Sequence, residues 1–220
     1  MELLEGIETR KSCRAFKSTP IPKKTLEKVL RAASKSPSYT NTQPWEVAVV
    51  TGWKKQELSK VLYAVAESDP SPNPDLPLPK NWPPELERRA GEHSARRLRV
   101  LGIERNDEQR RKELRLSNYE FYGAPCVLFL LMHNTLTSWS ILDVGLFAQS
   151  IALAAHSFGL GSCIQASIVF YPDAVREFLG IPETKSLVLG ISLGYPALDA
   201  PINAYQSSRV SLDEFVRWYG

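Results

Sequence analysis

The segment that decides the fold is residues 140–169, SILDVGLFAQSIALAAHSFGLGSCIQASIV. Its first part is apolar on almost every face, which predicts a helix over Ser140–Gly159 that lies inside the core or packs against another subunit. The glycines at 159 and 161 end this helix, and Ser162–Val169 then has the composition of a strand. A glycine-rich turn here could also lay backbone amides beside a flat ligand, although a simple helix stop is the better interpretation of this segment alone.

Helices and strands are predicted to alternate along most of the remaining chain. Apolar periodicity predicts helices over Lys23–Lys35, Lys54–Glu67, Pro172–Leu179 and Ser211–Trp218. Runs rich in β-branched and other apolar residues predict strands over Trp45–Thr51, Pro125–Met132 and Ser186–Leu193. Such alternation indicates an α+β or α/β layered fold, and 220 residues suit a single domain.

Residues 68–118 differ in composition from the rest of the chain. Prolines between 70 and 84 exclude regular structure, and Glu85–Leu101 and Asp107–Phe121 then predict two strongly charged helices. The arginines of these helices could form a phosphate- or nucleic-acid-binding face, but interleaved glutamates nearly cancel their charge. We therefore expect a solvated helical insertion or lid, rather than a second domain.

Composition favours a cytoplasmic protein that binds neither nucleic acid nor a membrane. The net charge is only +3, and the apolar stretches at 124–132 and 141–160 are too short or too interrupted to predict a membrane span. The beginning of the chain carries charges throughout, unlike a signal peptide. Three cysteines without CxxC spacing indicate reduced thiols, and three histidines form no ligand pattern with them, so we expect no metal.

Two polar segments are candidates for ligand binding. Arg10-Lys11-Ser12-Cys13-Arg14 combines guanidinium groups with a hydroxyl, which suits a phosphate monoester, although such clusters are often merely solvated. Ser36–Trp45 is a proline-bracketed loop in which Asn41 and Gln43 could hydrogen-bond the edge of a heteroaromatic ring; an ordinary capping loop is the alternative. Because no hydrolytic motif or paired carboxylate is evident, a bound cofactor would carry the chemistry.

In this order, these segments resemble the nitroreductase family of flavoproteins. The family begins with an Arg-x-Ser-x-Arg/Lys cluster and continues with Pro-Ser-x-x-Asn-x-Gln-Pro-Trp, here residues 37–45. A long central helix then ends in Gly-Leu-Gly-Ser/Thr-Cys, here 159–163, followed by Leu-Gly-Tyr-Pro at 193–196 and a late arginine, Arg209. The Pro- and Arg-rich insertion, Gly-Ala-Pro at 123–125 and Ser138-Trp139 resemble the nitrobenzoate-reductase-like branch.

The resemblance implies a nitroreductase-like three-layer α/β/α sandwich around a central mixed, mostly antiparallel sheet. It also implies an FMN-dependent NAD(P)H oxidoreductase that reduces nitroaromatic compounds, nitro to nitroso and hydroxylamine, by a ping-pong mechanism. We expect a homodimer with FMN at the subunit interface and a small aromatic substrate, which the arginine-rich helices would favour as an anion. A quinone or flavin reductase of the same family and a non-catalytic FMN-binding protein are the alternatives.

The resemblance also assigns roles to particular residues. Arg10, Ser12 and Arg209 would bind the FMN phosphate, with Lys11 beside them. Arg14 would stabilise the reduced ring from the ribityl or N1/O2 side, and the backbone of Ile164 and Gln165 would face flavin N5; Arg14 and Gln165 are thus the expected catalytic groups. The residues expected at the flavin from the 37–43 loop are Pro37, Ser38, Tyr39, Asn41 and Gln43, the first three from the partner subunit. The family's second basic residue before Arg209 is replaced by Ser207, and its glycine after the Cys-x-x element by Ala166 and Ser167.

Overall fold

A computed structural model describes residues 2–68 and 71–220, so Pro70, one of the prolines of the expected loop, lies outside the described residues. The four strands are β1 (Glu46–Thr51), β2 (Cys126–His133), β3 (Gly161–Gln165) and β4 (Lys185–Gly194). The helices are α1 (Leu3–Thr9), α2 (Lys23–Ala33), α3 (Gly52–Glu67), α4 (Pro84–Val100), α5 (Glu108–Leu116), α6 (Ser138–Ser157), α7 (Pro172–Leu179), α8 (Pro201–Ala204) and α9 (Leu212–Phe215).

The strands form one sheet in the order β1-β2-β4-β3, and every pairing between these strands is antiparallel. β2 lies inside the sheet and is buried from Cys126 to Met132, which explains its continuous apolar sequence. β3 is an edge strand. Its outer side meets the N-terminal segment in an isolated parallel bridge between Ser12 and Ser162. The sheet is thus antiparallel as expected, and in the described residues its mixed character is limited to that bridge and does not extend to a parallel strand.

Helices cover both faces of this sheet, which confirms the three-layer architecture. On one face α2 and α6 enclose a core that includes Val29, Leu128 and Ile151. On the other face α3 and α7 enclose a second core that includes Leu62 and Phe129. Successive residues of β2 point to alternate faces, so Leu128 and Phe129 belong to different cores.

Three predicted elements are markedly shorter in the structure than in the sequence analysis. One is the helix predicted over Ser211–Trp218, which spans only Leu212–Phe215, and the other two are α5 and β3. α5 ends at Leu116 and not at Phe121, because Phe121 and Tyr122 adopt positive φ angles of 56° and 55°. β3 ends at Gln165 and not at Val169, because a 3₁₀ turn over Ser167–Val169 follows it. In both cases the apolar residues beyond the element are still buried, which is why composition alone extended it.

Residues 75–76 and 116 tie the charged insertion to the body of the protein. Asp75 Oδ2 accepts hydrogen bonds from Arg176 Nη2 at 2.5 Å and from the backbone N–H of Leu187 at 2.7 Å. Leu76 packs against the α2/α6 core, and Leu116 is buried in the α3/α7 core. We predicted that residues 68–118 form an insertion or lid within a single domain, and this stays a prediction.

α6 is the longest of the described helices, and its sequence is largely apolar. By length and composition it is the one helix among the described residues that could cross a membrane, and 39% of its apolar window is buried inside the protein. Val144, Phe147 and Ile151 belong to the α2/α6 core, so one side of the helix serves as an interior wall. Trp139, Leu142 and Leu146 on another side are 62%, 55% and 41% exposed. Their spacing of three and four residues makes a continuous apolar stripe on the surface.

Candidate functional site

The N-terminal segment runs in an extended conformation along the outer edge of β3. The N–H of Cys13 donates to Ser162 O at 2.8 Å, and Phe16 forms a bridge with Pro196. Residues two apart in an extended chain point to the same side, so Arg10, Ser12 and Arg14 form one row while Cys13 is buried behind them. The functional side chains of the Arg-x-Ser-x-Arg cluster therefore occur at every second residue because this segment is extended like a strand.

Gly161 allows this close approach of the two segments. A Cβ atom at position 161 would lie 2.8 Å from Cys13 Cβ and 3.0 Å from Cys13 Sγ. Contacts this short do not occur between real side chains, so any larger residue would displace the row from β3. The glycine of the Gly-Leu-Gly-Ser-Cys motif thus has a steric role in addition to ending α6.

The row is extended by residues from the C-terminal part of the chain. Burial and the nearby Arg209 both lower the pKa of Arg10, which places these two guanidinium groups close together. The backbone N–H of Arg14 donates to Asn203 Oδ1 at 2.8 Å, and Asn203 Nδ2 donates to Ala15 O at 2.7 Å. Asn203 fixes the backbone that carries Arg14, and nothing in its local sequence predicted this.

α4 brings a histidine and a further arginine to the row. Burial, followed by Arg97 and Arg14, lowers the pKa of His93, whose Nδ1 lies 2.9 Å from the Tyr205 hydroxyl. Burial and Arg14 likewise lower the pKa of Arg97, and Arg97 Nε is buried without a hydrogen-bond partner among the described residues. A solvated helix was expected here, and in the structure no residue of α4 is fully buried, although His93 and Arg97 are half-buried. The four-residue spacing of His93 and Arg97, which puts both on one helical face, was the available indication.

At the end of β3 the side chains alternate between core and site. Ile164 is 39% exposed, whereas Cys163 and Gln165 on either side are buried. Burial raises the pKa of the Cys163 thiol to about 11, so this cysteine is a packing residue and not a nucleophile. The Gln165 side chain is turned inward and hydrogen-bonded to Asn118 and Ser192.

The backbone of this strand end is accessible on one side. In an antiparallel pair, successive residues alternate in which direction their N–H groups point. Because β3 is paired only with β4, one of Ile164 and Gln165 directs its N–H toward the open edge. The predicted role of these residues depends on their backbone, and the inward position of the Gln165 side chain is compatible with it.

The loop that contains Ser38, Tyr39 and Asn41 lies elsewhere in the chain. The N–H of Tyr39 donates to Asp143 Oδ1 at 3.1 Å, which fixes the loop to the first half of α6. Thr40, Asn41 and Gln43 have φ angles of 47°, 58° and 48°, so the loop is held in a conformation that side chains rarely adopt.

Hydrogen bonds inside the loop account for part of this conformation. The N–H of Gln43 donates to Ser38 Oγ at 2.9 Å, and the Gln43 side chain donates to Asn41 O at 3.3 Å. Gln43 therefore maintains the turn, and Tyr39, Asn41 and Gln43 are all exposed. Pro37 lies at the start of the turn and is also exposed.

Within one chain, the 37–43 loop and the row formed by Arg10, Ser12 and Arg14 lie near opposite ends of α6. Tyr39 contacts Asp143, whereas Thr9, directly before Arg10, lies 2.9 Å through its Oγ1 from Nε2 of His156. Positions 143 and 156 are separated by about 20 Å along a helix that rises about 1.5 Å per residue. The structure thus brings Arg10, Ser12, Arg14, Arg209 and the Ile164–Gln165 backbone together, leaves Lys11 exposed beside them, and keeps the 37–43 loop apart from them.

Comparison with known proteins identifies the family. A family model described as the nitroreductase family matches residues 7–195. The chain belongs to the nitroreductase family. It is 33% identical to a 4-nitrobenzoate reductase of Pseudomonas putida over 97% of this chain and 94% of the relative. It is also 33% identical to the nitroreductase NfnB of Mycolicibacterium smegmatis, over 96% of this chain and 90% of that one.

The fold agrees with a solved structure of this nitroreductase family. The crystal structure of the FMN-dependent nitroreductase NfnB from Mycobacterium smegmatis in complex with NADPH superposes with a TM-score of 0.94. The two chains are 32% identical, and the match covers 99% of this chain and 97% of the other. The predicted family and fold class are therefore confirmed.

Proposed function

We propose that this nitroreductase-family protein is an FMN-dependent NAD(P)H oxidoreductase that reduces nitroaromatic compounds. The observation that carries the proposal is the row Arg10-Ser12-Arg14 beside the open end of β3, in a chain similar over its length to an FMN-dependent nitroreductase. The nicotinamide would reduce the flavin and leave, and the nitro compound would then take two electrons in the same pocket.

The residues present fit the chemistry of FMN. Arg209 lies near Arg10 and lowers its pKa, and a phosphate dianion would offset that repulsion. The half-exposed Ile164 offers an apolar surface on which a flat ring system can lie.

Each group would then have a defined task. Arg10, Ser12 and Arg209 hold the phosphate, and Arg14 provides positive charge where the reduced ring becomes anionic. An N–H from Ile164 or Gln165 orients the reacting edge of the ring. FMN, when bound, supplies the chemistry that the protein's side chains lack, namely two-electron transfer between nicotinamide and acceptor.

The first test is the visible absorbance of the purified protein before and after anaerobic NADH or NADPH. Flavin bands that bleach on addition of the nicotinamide support the proposal, and a protein that neither binds added FMN nor bleaches would falsify it. A panel containing nitroaromatics, quinones and free flavins then ranks the acceptors by kcat/KM, because quinone or flavin reduction is the nearest alternative. FMN binding without nicotinamide oxidation would favour a non-catalytic flavin-binding protein.

We further propose that the acceptor is an anionic nitroaromatic such as a nitrobenzoate. His93 and Arg97 lie beside Arg14 and are not needed for the FMN phosphate, so they remain available for a carboxylate. The similarity to a 4-nitrobenzoate reductase is consistent with this assignment. Equal kcat/KM values for 4-nitrobenzoate and nitrobenzene would exclude it.

The active form is proposed to be a homodimer with FMN at the subunit interface. Since Tyr39 and Arg10 lie near opposite ends of α6, the 37–43 loop would reach the flavin of a second copy. α1, which contacts α6, adds further exposed apolar side chains, Leu3, Leu4 and Ile7, that are 72%, 72% and 48% exposed. A surface this apolar is typical of a subunit interface.

Substitution in the stripe tests the dimer. Leu142→Glu places a charge in the centre of the proposed interface and should give a monomer that has lost most of its FMN affinity, measured by analytical ultracentrifugation and flavin titration. Trp53→Glu is a matched control, because Trp53 is 70% exposed on α3 in the opposite layer. A dimer that persists in Leu142→Glu would contradict the proposed interface.

We also propose that the protein is cytoplasmic, and its three buried, unpaired cysteines support this proposal.

A further inference from the structure

A partly buried polar network lies directly beneath the end of β3. Gln165 Nε2 donates to the backbone oxygen of Asn118 at 3.2 Å and to Asn118 Oδ1 at 3.3 Å. At the other side of the same amide, Gln165 Oε1 accepts from the Ser192 hydroxyl. Gln165 and Ser192 are 4% and 0% exposed, so the Gln165 side chain is fixed at both of its polar atoms away from solvent.

Asn118 is the centre of this network. Its Oδ1 also accepts from the Tyr122 hydroxyl at 2.7 Å and from Ser167 Oγ at 2.9 Å. Asn118 Nδ2 donates to Arg115 O at 2.9 Å, which defines which side of the amide faces the network. A single oxygen therefore holds donors from β3, from the turn that follows it and from the turn before β2.

The network connects the two groups to which the proposed function gives catalytic roles. β3 is an edge strand whose outer side is held only by the N-terminal bridge near Ser162, and this bridge lies at the far end of the strand from Gln165. Tyr122 has a φ of 55°, and its phenol lies beside the guanidinium groups of Arg14 and Arg97. A satisfied buried network of this kind holds its members in one arrangement.

We propose that Asn118 is a positioning residue for flavin reduction: its side-chain oxygen fixes the Ile164–Gln165 backbone, and through Tyr122 the Arg14 side chain, in the geometry that hydride transfer requires. This inference rests on the proposed function, because it takes that backbone to face the flavin. Asn118 itself touches neither the cofactor nor the substrate. Its effect is transmitted through Gln165 and Tyr122.

The test uses Asn118→Leu, which keeps the size of the side chain and removes its acceptor. Since small displacements of reacting groups lower rates strongly, anaerobic flavin reduction by NADPH in a single turnover should slow at least about tenfold. The dissociation constant for FMN should change less than about threefold, because the phosphate is held by Arg10 and Arg209 outside the network. The visible circular dichroism of bound FMN, which reports the surroundings of the ring, should also change.

Two matched variants separate positioning from general destabilisation. Asn118→Asp keeps an oxygen acceptor for all three donors and should recover the rate of flavin reduction to within about threefold of wild type. Asn134→Leu is the control, because Asn134 also joins two distant segments, through a 3.0 Å bond to Glu183 O, but follows the last residue of β2, whereas Gln165 is level with Gly190 and Phe129 in the middle of the sheet. It should reduce FMN at the wild-type rate.

Three results would overturn the inference. One is Asn118→Leu with a wild-type rate and unchanged circular dichroism. A second is that Asn118→Leu loses FMN affinity and thermal stability in proportion to its loss of flavin-reduction rate, and that Asn118→Asp does not recover them. If Asn118→Leu does not fold, Ser192→Ala is used in its place, because it releases the other end of the Gln165 side chain. The third overturning result is that Ser192→Ala reduces FMN at the wild-type rate. A wild-type protein that binds no FMN would instead refute the proposed function, so the two failures are distinguishable.

Discussion

Gly161→Ala adds one methyl group at the point where the N-terminal row crosses β3. The new Cβ would lie 2.8 Å from Cys13 Cβ, 3.0 Å from Cys13 Sγ and 3.3 Å from Phe16 Cε1. Ordinary contact begins at 3.4 Å, so the segment must withdraw by about 0.6 Å, the difference between 3.4 and 2.8 Å. Because Cys13 Cβ is attached directly to the backbone, rotation of a side chain cannot relieve this contact.

The displacement acts on both stability and cofactor binding. Overpacking of this size costs about 1–3 kcal/mol of folding stability. Cys13 lies between Ser12 and Arg14, so the same movement withdraws the groups proposed to hold FMN. A weakening of about 1.4 kcal/mol in those contacts corresponds to roughly tenfold lower FMN affinity, which is the result we expect.

Quenching of FMN fluorescence during titration measures the affinity, and thermal unfolding measures the stability. Cys13→Gly removes both of the nearest atoms, so the double variant should regain most of the lost affinity, with a coupling energy of about 1–3 kcal/mol. Gly91→Ala is the control, since a Cβ at Gly91 in α4 meets nothing within 4 Å. Wild-type affinity in Gly161→Ala, or no recovery in the double variant, would refute the reasoning.

Three further predictions concern the charged groups around the site and the insertion. Arg97→Met should lower kcat/KM for 4-nitrobenzoate about tenfold, the value of a charge-assisted hydrogen bond, and change that for nitrobenzene little; equal losses would count against carboxylate recognition. Asp75→Asn should lower the free energy of unfolding in urea by about 2 kcal/mol, because it leaves the 14%-exposed Arg176 side chain with the exposed Asp173 as its remaining carboxylate partner among the described residues, and a loss below about 0.5 kcal/mol would contradict this. Folding lowers the pKa of His93 from its usual 6.5, chiefly by burial, so the folded state favours the neutral imidazole. The stability that neutral His93 provides is therefore present above about pH 6.5 and is lost as the pH falls and the unfolded state takes up the proton. His93→Gln should therefore show a smaller decrease in melting temperature between about pH 7 and 5.5, and a decrease as large as in wild type would exclude this linkage.

Local sequence was sufficient for most of the secondary structure. α7 has the predicted bounds, and α2 begins at the predicted residue with Leu26, Val29 and Ala33 buried. Proline at or directly before the first residue of these two helices and periodic apolar residues within them are local features, so the chain displays them without its tertiary contacts. The order of the motifs was also sufficient for the family, which the match over residues 7–195 confirms.

Other features depended on contacts between distant residues. The Arg97 side chain was expected in solvent, yet it lies beside Arg14, 83 positions earlier in the chain. Asn118 and Asn203 are unremarkable in their local sequences, and each acquires its role from partners that only folding brings near.

The sequence by itself therefore determined the elements, the family and the residue types suited to a phosphate and a flavin. Tertiary structure alone decided which of those residues meet: the row beside β3 on one side, and the 37–43 loop about 20 Å away along α6. The physical reason is that apolar periodicity and turn chemistry are local properties, whereas the position of a charged side chain depends on which distant surface covers it.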